Sequence, residues 1–152
     1  MVSITDTVSY IRDSYPHKSS LSNSRLIRII YLSDWRSAIL RSKQLTDARW
    51  KLNGFDPVIK GIFIENCLKE SEKRGKTAPT LSKDDKEIVD YAINTSSGKK
   101  WEELVSLVCS TYPFLTKQKS PELNLVELAK LYIQTQQEMA WAAKINSDTN
   151  TH

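Results

Sequence analysis

The sequence predicts a mainly α protein, a compact bundle of about six helices around a central buried helix at about 24–42, with a small antiparallel β element near 48–53. The chain has 152 residues with only 4 glycines and 5 prolines, too few for a loop-rich β architecture. Apolar residues recur at the three-and-four spacing of amphipathic helices. One short stretch, residues 49–52, instead alternates basic and apolar residues, which is typical of a half-buried strand. We expect one domain over 1–145 and a polar, frayed tail over 146–152.

Two helices are predicted in the N-terminal part of the chain. The first covers about 5–15, and Ser3 or Thr5 is positioned to cap its N-terminus. The central helix follows a polar stretch in which Ser22 or Asn23 is the candidate N-cap. The central helix is apolar on nearly every side, and such helices are usually buried.

The remaining elements follow from turn and capping signals. Asn53-Gly54 marks a turn, and Pro57 occupies the favoured first position of a predicted helix over about 57–73. Three further helices are predicted at about 82–94 with Ser82 as N-cap, at about 100–111, and at about 124–145.

The composition leaves few residues for catalysis or metal binding. The only histidines are His17 and His152, and Cys67 and Cys109 stand apart without a C-x-x-C spacing. No glycine-rich phosphate loop is present. We therefore expect no catalytic residues, no metal site and no cofactor, and we expect both cysteines to be reduced core thiols in a cytoplasmic protein. No apolar run is long enough to span a membrane.

Asp34 is the most unusual acidic residue, because it lies on the largely apolar central helix. A carboxylate there needs a partner, and Arg41 or Lys51 could supply it. An enzyme hypothesis would pair Asp34 with Glu65, or use the acids at 84–85, but acids in a first helical turn also suit the helix dipole. We interpret Asp34 as structural.

Positive charge is concentrated in the first part of the sequence. Residues 1–80 contain 14 Lys and Arg against 8 Asp and Glu, whereas residues 81–152 contain 8 against 10, and every arginine lies in the first part. Arginine suits carboxylates, phosphates and protein interfaces. This part is therefore the expected location of an acidic or anionic partner, although ordinary solvated helix faces would look the same.

One face of the central helix combines basic and apolar residues. Such a mixture is typical of a protein-binding surface, but the arginine stems could also cover the edge of the core while their charged ends stay in water. Trp50 is either exposed or part of the core. The candidate partner-binding residues are Arg25, Arg28, Trp35, Arg36, Arg49, Trp50 and Lys51.

Four blocks of the sequence, taken in order, resemble the Panacea domain, the SocA-like antitoxin family. The stretch IIYLSDW at 29–35 is similar to the family's KLLYLAD helix, and LTDARWKLN at 45–53 to its tryptophan-bearing strand. Gly54 and the Pro-Val pair at 57–58 correspond to a Gly-Pro turn, although Phe55 and Asp56 intervene here. The fourth block, WEELV and STYP within 101–113, resembles a segment near the family's C-terminal end.

The resemblance covers about 21–130 and implies both a fold and a function. It implies a helical domain with a small β element that binds a toxin protein, usually encoded by an adjacent gene, and neutralises it directly. Delivery of the toxin to a protease is a further route in the family. The alternative hypothesis is a regulatory protein that binds nucleic acid through the basic N-terminal half, since the sequence pI is about 9.0.

Overall fold

The computed structural model describes residues 1–75, 81–116 and 118–149, and it is mainly helical with one small sheet. The prediction of a mainly α fold with a small antiparallel β element is confirmed. In chain order the elements are α1 (Ile4–Ser14), a 3-10 turn (Lys18–Ser20), α2 (Asn23–Arg41), β1 (Trp50–Asn53), β2 (Asp56–Ile59), α3 (Ile64–Arg74), α4 (Lys83–Ser96), α5 (Trp101–Cys109), α6 (Tyr112–Leu115), β3 (Glu122–Leu123) and α7 (Leu125–Thr149).

Helix α2 is the centre of the molecule, as its nearly continuous apolar composition predicts. It packs against α1, α3, α4, α5, α7 and β2. Leu26, Ile29, Ile30 and Tyr31 are all buried, and they point to several sides of the helix. This central position means that residues on different faces of α2 have very different surroundings.

Serine side chains cap three of the helices. The Ser3 hydroxyl accepts a hydrogen bond from the Asp6 amide at 3.1 Å, and the Ser22 hydroxyl accepts one from the Arg25 amide at the same distance. Ser82 caps α4 in the same way. Each hydroxyl satisfies an amide that the first helical turn leaves unpaired.

The sheet is antiparallel, with β1 between β2 and β3. In the register of the central strand, Trp50 lies opposite Ile59 on one side and Leu123 on the other. The Trp50 side chain is buried. The sheet therefore holds this tryptophan against α2.

The predicted helix over 57–73 begins later than expected, because Pro57 lies in strand β2 and α3 starts at Ile64. Gly54 has a φ of 64° in a two-residue turn that reverses the chain into β2, and such hairpin turns favour a positive φ at this position. A proline is tolerated in an edge strand such as β2. The Asp56-Pro57 pair therefore belongs to the second strand of a hairpin and does not start a helix.

The two halves of α7 differ in burial. Leu125, Leu128 and Ala129 pack into the core, whereas the residues from 134 to 147 are exposed. The helix continues to Thr149, beyond the predicted end near 145, so the start of the predicted frayed tail is helical. The last three residues of that tail, 150–152, lie outside the described residues.

Candidate functional site

The carboxylate of Asp34 is completely buried, and it organises the segment between α2 and β1. One oxygen accepts a hydrogen bond from the Thr46 amide at 2.7 Å. The other accepts from the Thr46 hydroxyl at 2.6 Å and from the Trp50 indole Nε1 at 2.8 Å. The Gln44 amide nitrogen lies 3.4 Å from the same oxygen. The four donors come from the connector and the first strand residue, so Asp34 fixes how the chain leaves α2.

The donors around Asp34 are all neutral, which corrects the expectation of a basic partner. Arg41 pairs instead with Asp85 at 2.8 Å, and Lys51 lies in β1 opposite Val58. Burial raises the pKa of Asp34 from 3.8 to about 6, although its hydrogen bonds to Thr46 and Trp50 oppose that shift. Asp34 is therefore a structural carboxylate whose charge the fold accommodates with hydrogen bonds.

Tyr31, one turn before Asp34, extends the same buried network toward α6. Its hydroxyl lies 2.8 Å from the Thr111 hydroxyl, and its ring makes an edge contact with Trp50 at 5.4 Å between centroids. A second edge contact joins it to Phe114 at 5.5 Å. Residues from three of the blocks that resemble the antitoxin family thus meet around Tyr31 and Asp34.

Four of the seven candidate partner-binding residues are buried in the structure, which corrects the expectation of an exposed position for Arg25, Arg28 and Trp35 and selects the core alternative for Trp50. Trp35 and Trp50 belong to the core, and Arg25 and Arg28 are almost completely enclosed. The Arg25 guanidinium donates to two backbone oxygens at and just beyond the end of α4, those of Ser96 and Lys99, both at 3.0 Å. The Ser96 carbonyl belongs to the last turn of α4, so Arg25 helps to cap the end of this helix.

Arg28 is held between the hairpin and α5. Its guanidinium donates to the Asp56 carboxylate at 2.6 Å and to the Ser24 carbonyl at 3.2 Å. The same group lies over the Trp101 ring, 4.6 Å from the centroid. The side chain of Arg28 is only 4% exposed, whereas that of Asp56 is 63% exposed. Asp56 and Trp101, at the outer edge of this cluster, are open to a partner.

The predicted face of α2 is bordered by three aromatic rings from other helices. Trp101 of α5 covers Arg28, Tyr132 of α7 makes an edge contact with Trp35 at 5.8 Å, and Tyr91 of α4 lies 3.5 Å from the Arg36 guanidinium. We call Tyr91, Trp101 and Tyr132 the aromatic rim. Tyr91 is 51% exposed and Trp101 is 41% exposed.

Inside the aromatic rim, α2 presents a small, mixed surface. Leu32, Arg36 and Ile39 are half-buried there. Their spacing places them on one side of the helix. The sequence predicts this side of α2 but not the rim, because the three rings come from segments far along the chain and carry no local signal.

Arg49 and Lys51 do not join this surface. Arg49 is exposed just before β1, and Lys51 pairs with Val58 and Glu122 across the sheet. Of the seven candidates, only Arg36 is both accessible and next to the aromatic rim.

Many of the basic side chains in the N-terminal half already have acidic partners. This limits the positive charge that this half can offer to a phosphate backbone. The ion pairs are Arg12–Glu72, Arg28–Asp56, Arg41–Asp85, Lys60–Glu122, and Arg74 with both Asp6 and Glu70.

Two large apolar side chains on the outer half of α7 are also exposed, on different sides of the helix. Met139 and Trp141 are 62% and 64% exposed.

In the described ranges, no helix is long and apolar enough to cross a bilayer, and no three His, Cys, Asp or Glu side chains gather into a possible metal site. Comparison with family models, curated proteins and solved structures finds no match for this chain.

Proposed function

We propose that this protein is a cytoplasmic antitoxin that binds a toxin protein through the α2 face and the aromatic rim, and thereby neutralises it. The observation that carries the proposal is the aromatic rim itself: tyrosine and tryptophan rings border a half-buried arginine. Tyr, Trp and Arg are the residues most enriched among those that dominate protein-binding energy. A surface of this kind suits a protein partner better than a small molecule.

The buried network around Tyr31 and Asp34 is a second, separate observation that supports the antitoxin proposal. Tyr31, Asp34, Thr46, Trp50 and Thr111 belong to separate sequence blocks that resemble the antitoxin family, and they pack and hydrogen-bond together. Such convergence is expected if the blocks are the structural core of one domain. The partner implied by the resemblance is the product of an adjacent gene.

The number of arginines already in ion pairs makes nucleic acid the less favoured partner. A nucleic-acid complex would lose affinity steeply and linearly on a logarithmic salt scale, because phosphate contacts release counterions. Binding through aromatic rings and aliphatic side chains predicts an affinity that depends less steeply on salt concentration. A salt titration of the isolated complex therefore distinguishes the two partner classes.

The direct test is co-expression with the neighbouring open reading frame, followed by a growth assay and co-purification. We expect the neighbour to be toxic alone, harmless in the presence of this protein, and to co-elute with it. A neighbour that is harmless alone and does not co-elute would contradict the proposal. Pulse-chase measurement of the neighbour's lifetime then distinguishes direct blocking from delivery to a protease.

The aromatic rim is tested with a Tyr91→Ala/Trp101→Ala double variant. We expect it to weaken binding at least about tenfold, since loss of interface hot-spot rings costs upwards of about 2 kcal/mol. Phe63→Ala is the matched control, because Phe63 is an exposed aromatic residue at the start of α3, away from the aromatic rim. Equal binding by the double variant and the control would place the interface elsewhere.

A further inference from the structure

Arg36 differs from most other arginines of the chain in what its guanidinium contacts. The guanidinium groups of Arg25, Arg28 and Arg41 donate to carbonyl or carboxylate oxygens at hydrogen-bond distance. Within residues 1–75, 81–116 and 118–149, Arg36 donates no hydrogen bond and forms no ion pair; its ring contact is with Tyr91. A guanidinium carries five N–H donors, so Arg36 retains its full capacity to bind an acceptor.

The contact with Tyr91 fixes the position of this guanidinium. The central carbon of the group lies 3.5 Å from the centre of the ring, which is the separation of a close cation–π contact. Holding the group in place reduces the entropy that a partner must remove on binding. The N–H groups at the edge of the plane then form a fork that matches the two oxygens of a carboxylate.

None of the acidic residues on α4 supplies a carboxylate that pairs with the Arg36 guanidinium. Asp85 is paired with Arg41 at 2.8 Å, and Asp90 accepts a hydrogen bond from the Tyr10 hydroxyl at 2.6 Å. Glu87 is exposed one turn before Tyr91, and it makes no ion pair with any residue in the described part of the chain. Among the described residues, therefore, no acidic side chain pairs with Arg36.

The residues around Arg36 indicate which kind of partner residues would lie beside a bound carboxylate. Leu32 lies one turn before it on α2, half-buried, and Leu40 lies one turn after it with 58% of its surface exposed. A partner that covers this stretch must bury aliphatic side chains on both sides of the guanidinium. Burial of this kind also removes water from an arginine–carboxylate pair, which strengthens it.

We propose that Arg36, held in place by Tyr91, binds the carboxylate of an acidic side chain of the partner protein, with apolar partner residues on both sides of that carboxylate. This inference rests on the proposed function, because it names the chemistry that the toxin presents to the α2 face. It assigns Arg36 as the charge-specific contact and Tyr91 as the residue that positions it.

The first experiment measures binding of the co-purified neighbour protein to wild type, Arg36→Lys and Tyr91→Leu. Arg36→Lys keeps the charge but loses the planar fork, so we expect binding to weaken about tenfold. Tyr91→Leu should weaken it by a smaller factor, about two- to threefold, because it only releases the guanidinium from its ring contact. Arg49→Lys is the matched control, since Arg49 is exposed beside the sheet, and it should bind as wild type does. Wild-type affinity in Arg36→Lys would overturn the proposal.

The second experiment does not depend on the neighbour protein. The side-chain Nε–H signal of Arg36, assigned by its absence in Arg36→Lys, is followed by NMR during titration with sodium acetate and, separately, with sodium chloride. A saturable shift with acetate alone supports a carboxylate site. Equal shifts with both salts, or no shift, would overturn it. If the neighbour protein fails to bind wild type, the proposed function fails, and this titration still decides the assignment of Arg36.

Discussion

Asp34 and Arg36 are two residues apart on the same helix, yet their charged groups have opposite surroundings. Asp34 is fully buried and accepts hydrogen bonds from several neutral donors, whereas the half-buried Arg36 donates none within the described part of the chain. The buried group is saturated by the fold and has nothing to offer a partner. The partly open group has unused donors in a fixed place. Burial together with hydrogen-bond satisfaction thus separates the structural charge from the binding charge on one helix.

The largest effect in this comparison is expected for Asp34→Ala. The substitution leaves the Thr46 amide and the Trp50 indole without acceptors inside the protein, and each buried unpaired donor costs about 1–3 kcal/mol. We expect the free energy of unfolding to fall by about 3–5 kcal/mol, measured by urea denaturation. A loss below about 1 kcal/mol would mean that the network is not important for stability.

A change of pH should produce the next largest effect. The pKa of Asp34 is raised by burial to about 6 in the folded state from 3.8, so the folded protein holds this proton more tightly than the unfolded chain. The stabilisation from the bound proton is fully present below about pH 4 and is lost as the pH rises to about 6. Two pKa units correspond to about 3 kcal/mol.

The matched measurement compares wild type with Asp34→Asn, which cannot titrate at this position. The difference between their free energies of unfolding should shift by about 2–3 kcal/mol between pH 4 and pH 7, to the disadvantage of wild type at the higher pH. A difference that is constant across this range, or one that moves in favour of wild type, would show that the carboxylate is not destabilised by burial.

The smallest effect on stability is expected for Arg36→Met. This change removes only a cation–π contact at the protein surface, so the free energy of unfolding should change by about 0.5 kcal/mol. Thermal unfolding followed by circular dichroism is sufficient to measure it. A loss as large as that of Asp34→Ala would abolish the distinction between the two residues and would make Arg36 part of the fold.

Sequence patterns predict the helices well and the partners of polar residues poorly. The buried central helix follows from apolar composition alone, and Ser22 follows from its capping position. The need of Asp34 for a partner is also predictable. Its actual donors are not, because Thr46 and Trp50 are neutral and reach the carboxylate only after the chain has turned.

The same limit explains why the sequence does not predict the burial of Arg25 and Arg28. Arg25 and Arg28 lie on the predicted face of α2, but their acceptors are carbonyls near the end of α4 and the carboxylate of Asp56. These groups are far away in the sequence, so periodicity cannot distinguish a buried arginine from an exposed one. The helix start predicted at Pro57 is wrong for a related reason, since an Asp-Pro pair is compatible with both a helix start and a hairpin.

The long last helix has a consequence for local stability. A free helix of the length of its exposed half is only marginally stable in water, because forming the first turn is costly. Here the packed turns from Leu125 to Tyr132 already provide that nucleus, so the outer turns need only extend it. Their amide protons should exchange with solvent in order of distance from Tyr132, slowest near the body and fastest toward Thr149. The outer half of α7 thus derives its order from the inner half by propagation.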